Sequence, residues 1–110
     1  MRAVAFRAHG GPERLEAMEL PDPEPKPGEV RVRVRACAVN HLDIWVREGW
    51  PGLKLALPHV LGADVAGEVE ALGDGISDIA PGMPVLVAPG LSCGACQECL
   101  SGCDNNCRHY

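Results

Sequence analysis

Five of the six cysteines of this 110-residue chain fall within fifteen residues, in the run CGACQECLSGCDNNC from Cys93 to Cys107. No other stretch restricts the fold as tightly. A Cys-x-x-Cys pair forms a tight turn that aims two sulfurs at one point, and Cys93, Cys96 and Cys99 make two overlapping pairs. Gly94, Gly102 and the polar residues between them permit such turns. The spacing leaves two frameworks open. Cys93-x2-Cys96-x2-Cys99-x7-Cys107 is a four-thiolate zinc set, whereas Cys93-x2-Cys96-x2-Cys99-x3-Cys103 has the spacing of a bacterial iron–sulfur cluster. The second is weakened because Asp104, not proline, follows Cys103 and no second cysteine run exists. The first makes the metal a staple; the second makes the protein an electron carrier.

The cysteines point to metal rather than disulfides because nothing marks the chain for an oxidising compartment. The N-terminus MRAVAFRAHG lacks the apolar stretch of a signal peptide, and no run of about 18 apolar residues exists to span a membrane. A cytoplasmic location is the expectation, without a membrane partner. The net charge of −5 and the lack of a basic stripe argue against nucleic acid. Arg31, Arg33 and Arg35 alternate with valines and read as the wet face of a strand.

Period-two patterning predicts strands at Arg2–Arg7, more weakly at Leu15–Leu20, and strongly in VRVRVRACAV, where Val30, Val32 and Val34 share one face. Between them PDPEPKPGEV is a stiff extended turn, since Pro21, Pro23, Pro25 and Pro27 donate no hydrogen bonds. NHLDIWVRE, Asn40 to Glu48, predicts one or two helical turns stopped by Gly49 and Pro51. Further strands are predicted at Asp64–Gly73 and Met83–Ala88. Short strands separated by Gly/Pro turns describe an all-β barrel or sandwich, a mainly β fold.

Cys93-Gly-Ala-Cys96-Gln-Glu-Cys99-Leu-Ser-Gly102, with Cys107 beyond it, resembles the structural-zinc lobe of medium-chain zinc-type alcohol dehydrogenases. PKPGEVRVRVRACAVNHLD, PHVLGADVAGEVEALGDGI and PGMPVLV resemble three further segments of that superfamily, in the same order, so the likeness covers nearly the whole chain. The resemblance implies a GroES-like β-barrel catalytic domain with zinc held by Cys93, Cys96, Cys99 and Cys107, and Cys103 left over. Residues 1–110 would then be an incomplete catalytic domain, with the zinc lobe at 90–110 and the Rossmann domain outside the chain. Such a piece is expected to fold poorly alone. The implied activity is NAD(P)-dependent hydride transfer to or from a carbonyl, alcohol or enone, in a full-length homo-oligomer, dimer or tetramer.

The active-site positions depart from the zinc pattern. Where the family has a zinc-binding cysteine and a relay hydroxyl stand Asn40 and Leu42, and where it has Gly-His-Glu stands Gly62-Ala63-Asp64. Asn40 with Asp43 instead resembles the quinone oxidoreductase branch, which implies a zinc-free site in which the Asn40 amide stabilises a developing oxyanion. The alternative is a displaced metal site from His41, His59 and Asp64. His41 fits better against the cofactor pyrophosphate. The candidate catalytic residues are thus Asn40, Asp43, Asp64 and His59, with His41 toward the cofactor. Trp45 and Trp50 read as packing or pocket walls, and Cys37 as a core thiol.

Overall fold

The alternating stretches become strands in the computed structural model, which describes residues 1–110. In chain order they are β1 (Arg2–Phe6), β2 (Glu16–Glu19), β3 (Val30–Ala38), β4 (His59–Val60), β5 (Asp64–Leu72) and β6 (Pro84–Leu86). Two helices punctuate them, α1 (His41–Glu48) and α2 (Gln97–Leu100). One antiparallel sheet runs β2-β1-β4 and a second runs β3-β5-β6. The predicted strands and the helix after Asn40 are present, most of them shorter at the ends. β4 and α2 were not predicted, because two and four residues are too few to display a period.

Side-chain burial on β3 departs from simple alternation. Val30 and Val32 are half-buried, but Val34 is 56% exposed. The register is regular from Val32 to Val34, with irregularities only between Arg31 and Val32 and between Val34 and Ala36, so Val34 keeps the face of Val32 and is exposed because that end of the face is uncovered. The arginines do form the wet face. Arg31 and Arg33 both reach Glu70 of β5, and Arg35 reaches Glu68 at 3.0 Å. These are opposite charges across an antiparallel pair, each worth little alone because it is exposed.

The proline-rich stretch from Pro21 to Pro27 makes no strand, as its missing N–H groups require. It folds back onto the end of β5, where Gly73 donates to the Glu29 carbonyl at 2.8 Å. A Cβ on Gly73 would lie 1.9 Å from the Lys26 carbonyl oxygen, so the approach admits only glycine.

The core is small: Ala5, Phe6 and Val69 are its buried apolar side chains outside the cysteine lobe. Phe6 stacks between two imidazoles, with ring centroids 5.5 Å from His9 and 5.7 Å from His59. The His9-Gly10 turn anchors the C-terminal end of α1. His9 Nδ1 lies 3.1 Å from the Val46 carbonyl, the Gly10 N–H donates to the Arg47 carbonyl at 3.0 Å, and the buried Arg47 guanidinium donates to the Gly10 carbonyl. This satisfies carbonyls that a helix end leaves unpaired. No helix is long and apolar enough to cross a membrane.

Candidate metal centre and active-site segment

The thiols of Cys93, Cys96, Cys99 and Cys107 converge, all four sulfurs lying within 4.8 Å of one another. Local structure does this. Cys93 and Cys96 flank a turn with Gly94 at φ +68°, Cys96 caps α2, Cys99 lies on α2, and a 3₁₀ turn at Asp104–Asn106 returns the chain to Cys107. The measured separations are 3.9 Å for Cys93–Cys99, 3.4 Å for Cys96–Cys99 and 4.0 Å for Cys96–Cys107. Four sulfurs at 2.3 Å from one tetrahedral ion stand about 3.8 Å apart. The donor set therefore fits a single zinc ion. Cys103 lies outside the group and is exposed, so the spacing of the iron–sulfur alternative, which needs Cys103, is not the set that gathers.

Backbone donors support the sulfurs, as outer-shell groups do in thiolate sites. The Cys96 N–H points to Cys93 Sγ at 3.4 Å, and the Cys93 and His109 N–H groups point to Cys107 Sγ at 3.3 Å. N–H donation from Ala95 and then Cys96 pulls the Cys93 thiol down to about 6. The Cys99 N–H pulls Cys96 down as well, but burial and the Cys99 thiol outweigh it and push Cys96 up to about 12. Glu98, unremarkable in the sequence, closes the lobe. Its Oε1 meets Arg108 at 3.5 Å, and its buried Oε2 has no hydrogen-bond partner.

Asn40 and Asp64 lie at a second place, where the ends of β3 and β5 meet the start of α1. Asn40 is the N-cap in extended conformation, and its side-chain oxygen accepts from the Leu42 N–H at 3.2 Å. That contact orients the amide, so Nδ2 faces outward and donates to Asp64 Oδ2 at 3.1 Å. The Asp43 carboxylate, on a residue only 8% exposed, accepts from the Asn40 N–H at 2.7 Å and from the Gly62 N–H at 2.9 Å. Asn40 and Asp43 thereby form a capping box at the start of α1, and Asp43 also reaches Gly62 in the loop before β5.

The remaining candidates lie apart. The His41 ring is exposed and packs edge-on to Trp45 at 4.9 Å, while His59 packs on Phe6 in β4. Groups of three or more His, Cys, Asp or Glu side chains poised for a metal occur once, at the four thiols. A cavity of about 330 Å³ opens beside Asp43, lined by Cys37, Val39, Ile44, Arg47 and Leu61 among others.

The profile of the alcohol dehydrogenase GroES-like domain matches residues 26–110. Rat quinone oxidoreductase is 37% identical over 102 residues, 92% of this chain and 31% of the relative. Geraniol dehydrogenase of Castellaniella defragrans is 36% identical over 106 residues, 96% of this chain and 27% of the relative. Among solved structures, an NAD-dependent alcohol dehydrogenase superposes with a TM-score of 0.90 at 60% identity, covering 100% of this chain and 32% of that one. A cobalt- and zinc-bound thermostable alcohol dehydrogenase from Pyrobaculum aerophilum gives 0.88 at 41% identity, covering 98% and 32%. The chain thus spans about a third of the length of the relatives it matches. Its strand order, its thiolate lobe and the match over most of its residues agree: the chain belongs to the family of alcohol dehydrogenase GroES-like domains.

Proposed function

We propose that this chain is the catalytic-domain portion of an NAD(P)-dependent oxidoreductase that passes hydride between a nicotinamide and a carbonyl, alcohol or enone, with one structural zinc on Cys93, Cys96, Cys99 and Cys107. In this reading residues 90–110 form the zinc lobe and the nucleotide-binding domain lies beyond these residues. The four converging thiols support the zinc, and a closed four-thiolate shell leaves no position for substrate. The metal is then a staple.

The observation that carries the chemistry is the oriented Asn40 amide. Its oxygen is held by the Leu42 N–H, so its nitrogen points toward Asp64 and solvent. One N–H is held by Asp64; the second is free to donate to a substrate oxygen. When the nicotinamide delivers hydride to a carbonyl carbon, negative charge builds on that oxygen, and a fixed donor stabilises it without reorganising. Asp64 keeps the amide aimed. Asn is a poor zinc ligand and Ala63 is none, which favours the metal-free site of the quinone-reductase kind. In this reading His41, exposed at the start of α1, meets a cofactor phosphate. In the same reading His59, edge-on to Phe6, supports the sheet rather than the reaction.

The test uses the intact protein with NADH or NADPH and a quinone, enone or aldehyde. Asn40→Ser keeps an N-capping oxygen but removes the amide donor. It is expected to lower kcat/KM about 100-fold, the scale for losing one oxyanion donor. Metal analysis is expected to return zinc near one per chain. Iron with acid-labile sulfide, or no hydride transfer to any of these acceptors, overturns the reading.

A further inference from the structure

We infer that Asp43 is a positioning residue whose carboxylate clamps the two backbone segments carrying Asn40 and Asp64; the inference rests on the reading that the Asn40 amide meets the substrate oxygen.

A carboxylate buried to this degree needs compensation, and Asp43 has no ion-pair partner within 4 Å. Its compensation is the backbone. Oδ2 takes the Asn40 N–H at 2.7 Å and Oδ1 takes the Gly62 N–H at 2.9 Å, while its place in the first turn of α1 adds the favourable end of the helix dipole. A helix cap requires only the first of these bonds. The second spans 19 residues of sequence and ties the start of α1 to the loop that leads into β5.

The two tied segments hold the two ends of one hydrogen bond. Asn40 belongs to the first, and Asp64 stands two residues beyond Gly62 in the second, with Nδ2 and Oδ2 3.1 Å apart. Cys37 packs close against Gly62 on its other side. The φ of Gly62 is +105°, and a Cβ there would lie 2.5 Å from Cys37 Sγ. A change in Asp43 passes to the distance and angle between Asn40 and Asp64. Each oxygen already accepts a backbone N–H and the residue is only 8% exposed, so its effect on the reaction is routed through Asn40.

The test is a double-mutant cycle in the intact protein, read together with backbone hydrogen exchange. Asp43→Asn is isosteric but sets an NH₂ group against a backbone donor. It is expected to lower kcat about 10- to 100-fold, the range for losing a supporting partner of a functional group, with KM changed less than about threefold. In the Asn40→Ser background the same substitution is expected to cost less than about twofold, because the group it positions is gone. Exchange at peptides covering residues 40 and 62 should quicken at least about tenfold, with the interior of β5 unaltered. If the two losses multiply, or those amides keep their protection, the clamp is overturned while the Asn40 reading stands. If Asn40→Ser costs nothing, the Asn40 reading falls, and exchange alone decides the clamp: quickened exchange at both segments supports it, unchanged exchange overturns it. Should Asp43→Asn not fold, Asp43→Glu keeps both acceptors one methylene further out. A partial loss of kcat at constant KM supports the clamp there, and wild-type kcat overturns it.

Discussion

At the scale of single residues, the cysteines separate by what lies around each sulfur. Cys103 shares the spacing of a ligand but is exposed and apart from the group, whereas Cys107 is buried and takes two backbone N–H groups. Cys103→Ser is therefore expected to leave zinc content and melting temperature unchanged, and Cys107→Ser to lose most of the metal, measured by metal analysis of the purified intact protein. Retention of zinc by Cys107→Ser together with its loss in Cys103→Ser would show the ligand set to be wrong. Gly62 supplies a second prediction. An alanine there must adopt φ +105° and press on Cys37 Sγ, so Gly62→Ala is expected to cost on the order of 2–3 kcal/mol. Adding Cys37→Ala should recover the steric share but not the backbone share, so rescue is partial in denaturant titrations.

At the scale of elements, the β3–β5 pair is held on its wet face by arginines against glutamates. Arg35 donates to Glu68, and that hydrogen bond, with the attraction between the charges, holds the Glu68 carboxyl below its ordinary value of 4.5. A carboxylate depressed in the fold stabilises it fully above the unfolded value and loses that contribution as pH falls through the folded one. Stability at low salt should thus decline below about pH 4.5 partly through this pair, and Glu68→Gln should flatten the decline. Because both side chains are exposed, the effect should be small and largely gone at about 1 M salt, where screening is short-ranged. A decline below pH 4.5 unaffected by Glu68→Gln would remove the pair from the account. The anchor of α1 is a stronger element-level contact, since Arg47 is buried and bonded to Gly10. Arg47→Ala is expected to cost about 2 kcal/mol, the scale of a hydrogen bond to a charged group, and to loosen the His9-Gly10 turn with the helix.

At the scale of the whole molecule, residues 1–110 expose 8021 Å², about 2,100 Å² more than a compact monomer of this mass exposes. The radius of gyration is 15.8 Å, against about 13 Å for a compact domain of this length. Val34, Leu86, Leu91 and Leu100 lie on the surface, and seven residues are buried. Expressed alone, these 110 residues are expected to melt broadly, without the cooperative transition of an independent domain. A sharp transition in calorimetry would contradict this. In the intact protein, chelation is expected to open the 90–110 lobe to protease before either sheet if, as proposed, metal–sulfur bonds rather than a core organise the lobe.

What is local is written in the order of the residues. Cys-x-x-Cys turns aim sulfurs within a few residues, Asn40-x-x-Asp43 caps a helix through neighbouring backbone groups, and VRVRVR alternates whatever it packs against. The identity of the thiolate lobe and the antiparallel strands was legible for that reason. Spacing left Cys103 and Cys107 open and the resemblance pointed to Cys107; the folded chain gathers Cys107 into the sulfur set, leaves Val34 in solvent and carries Asp43 to Gly62. Each depends on how chain segments far apart in sequence are brought together, and residue spacing carries no record of that distance.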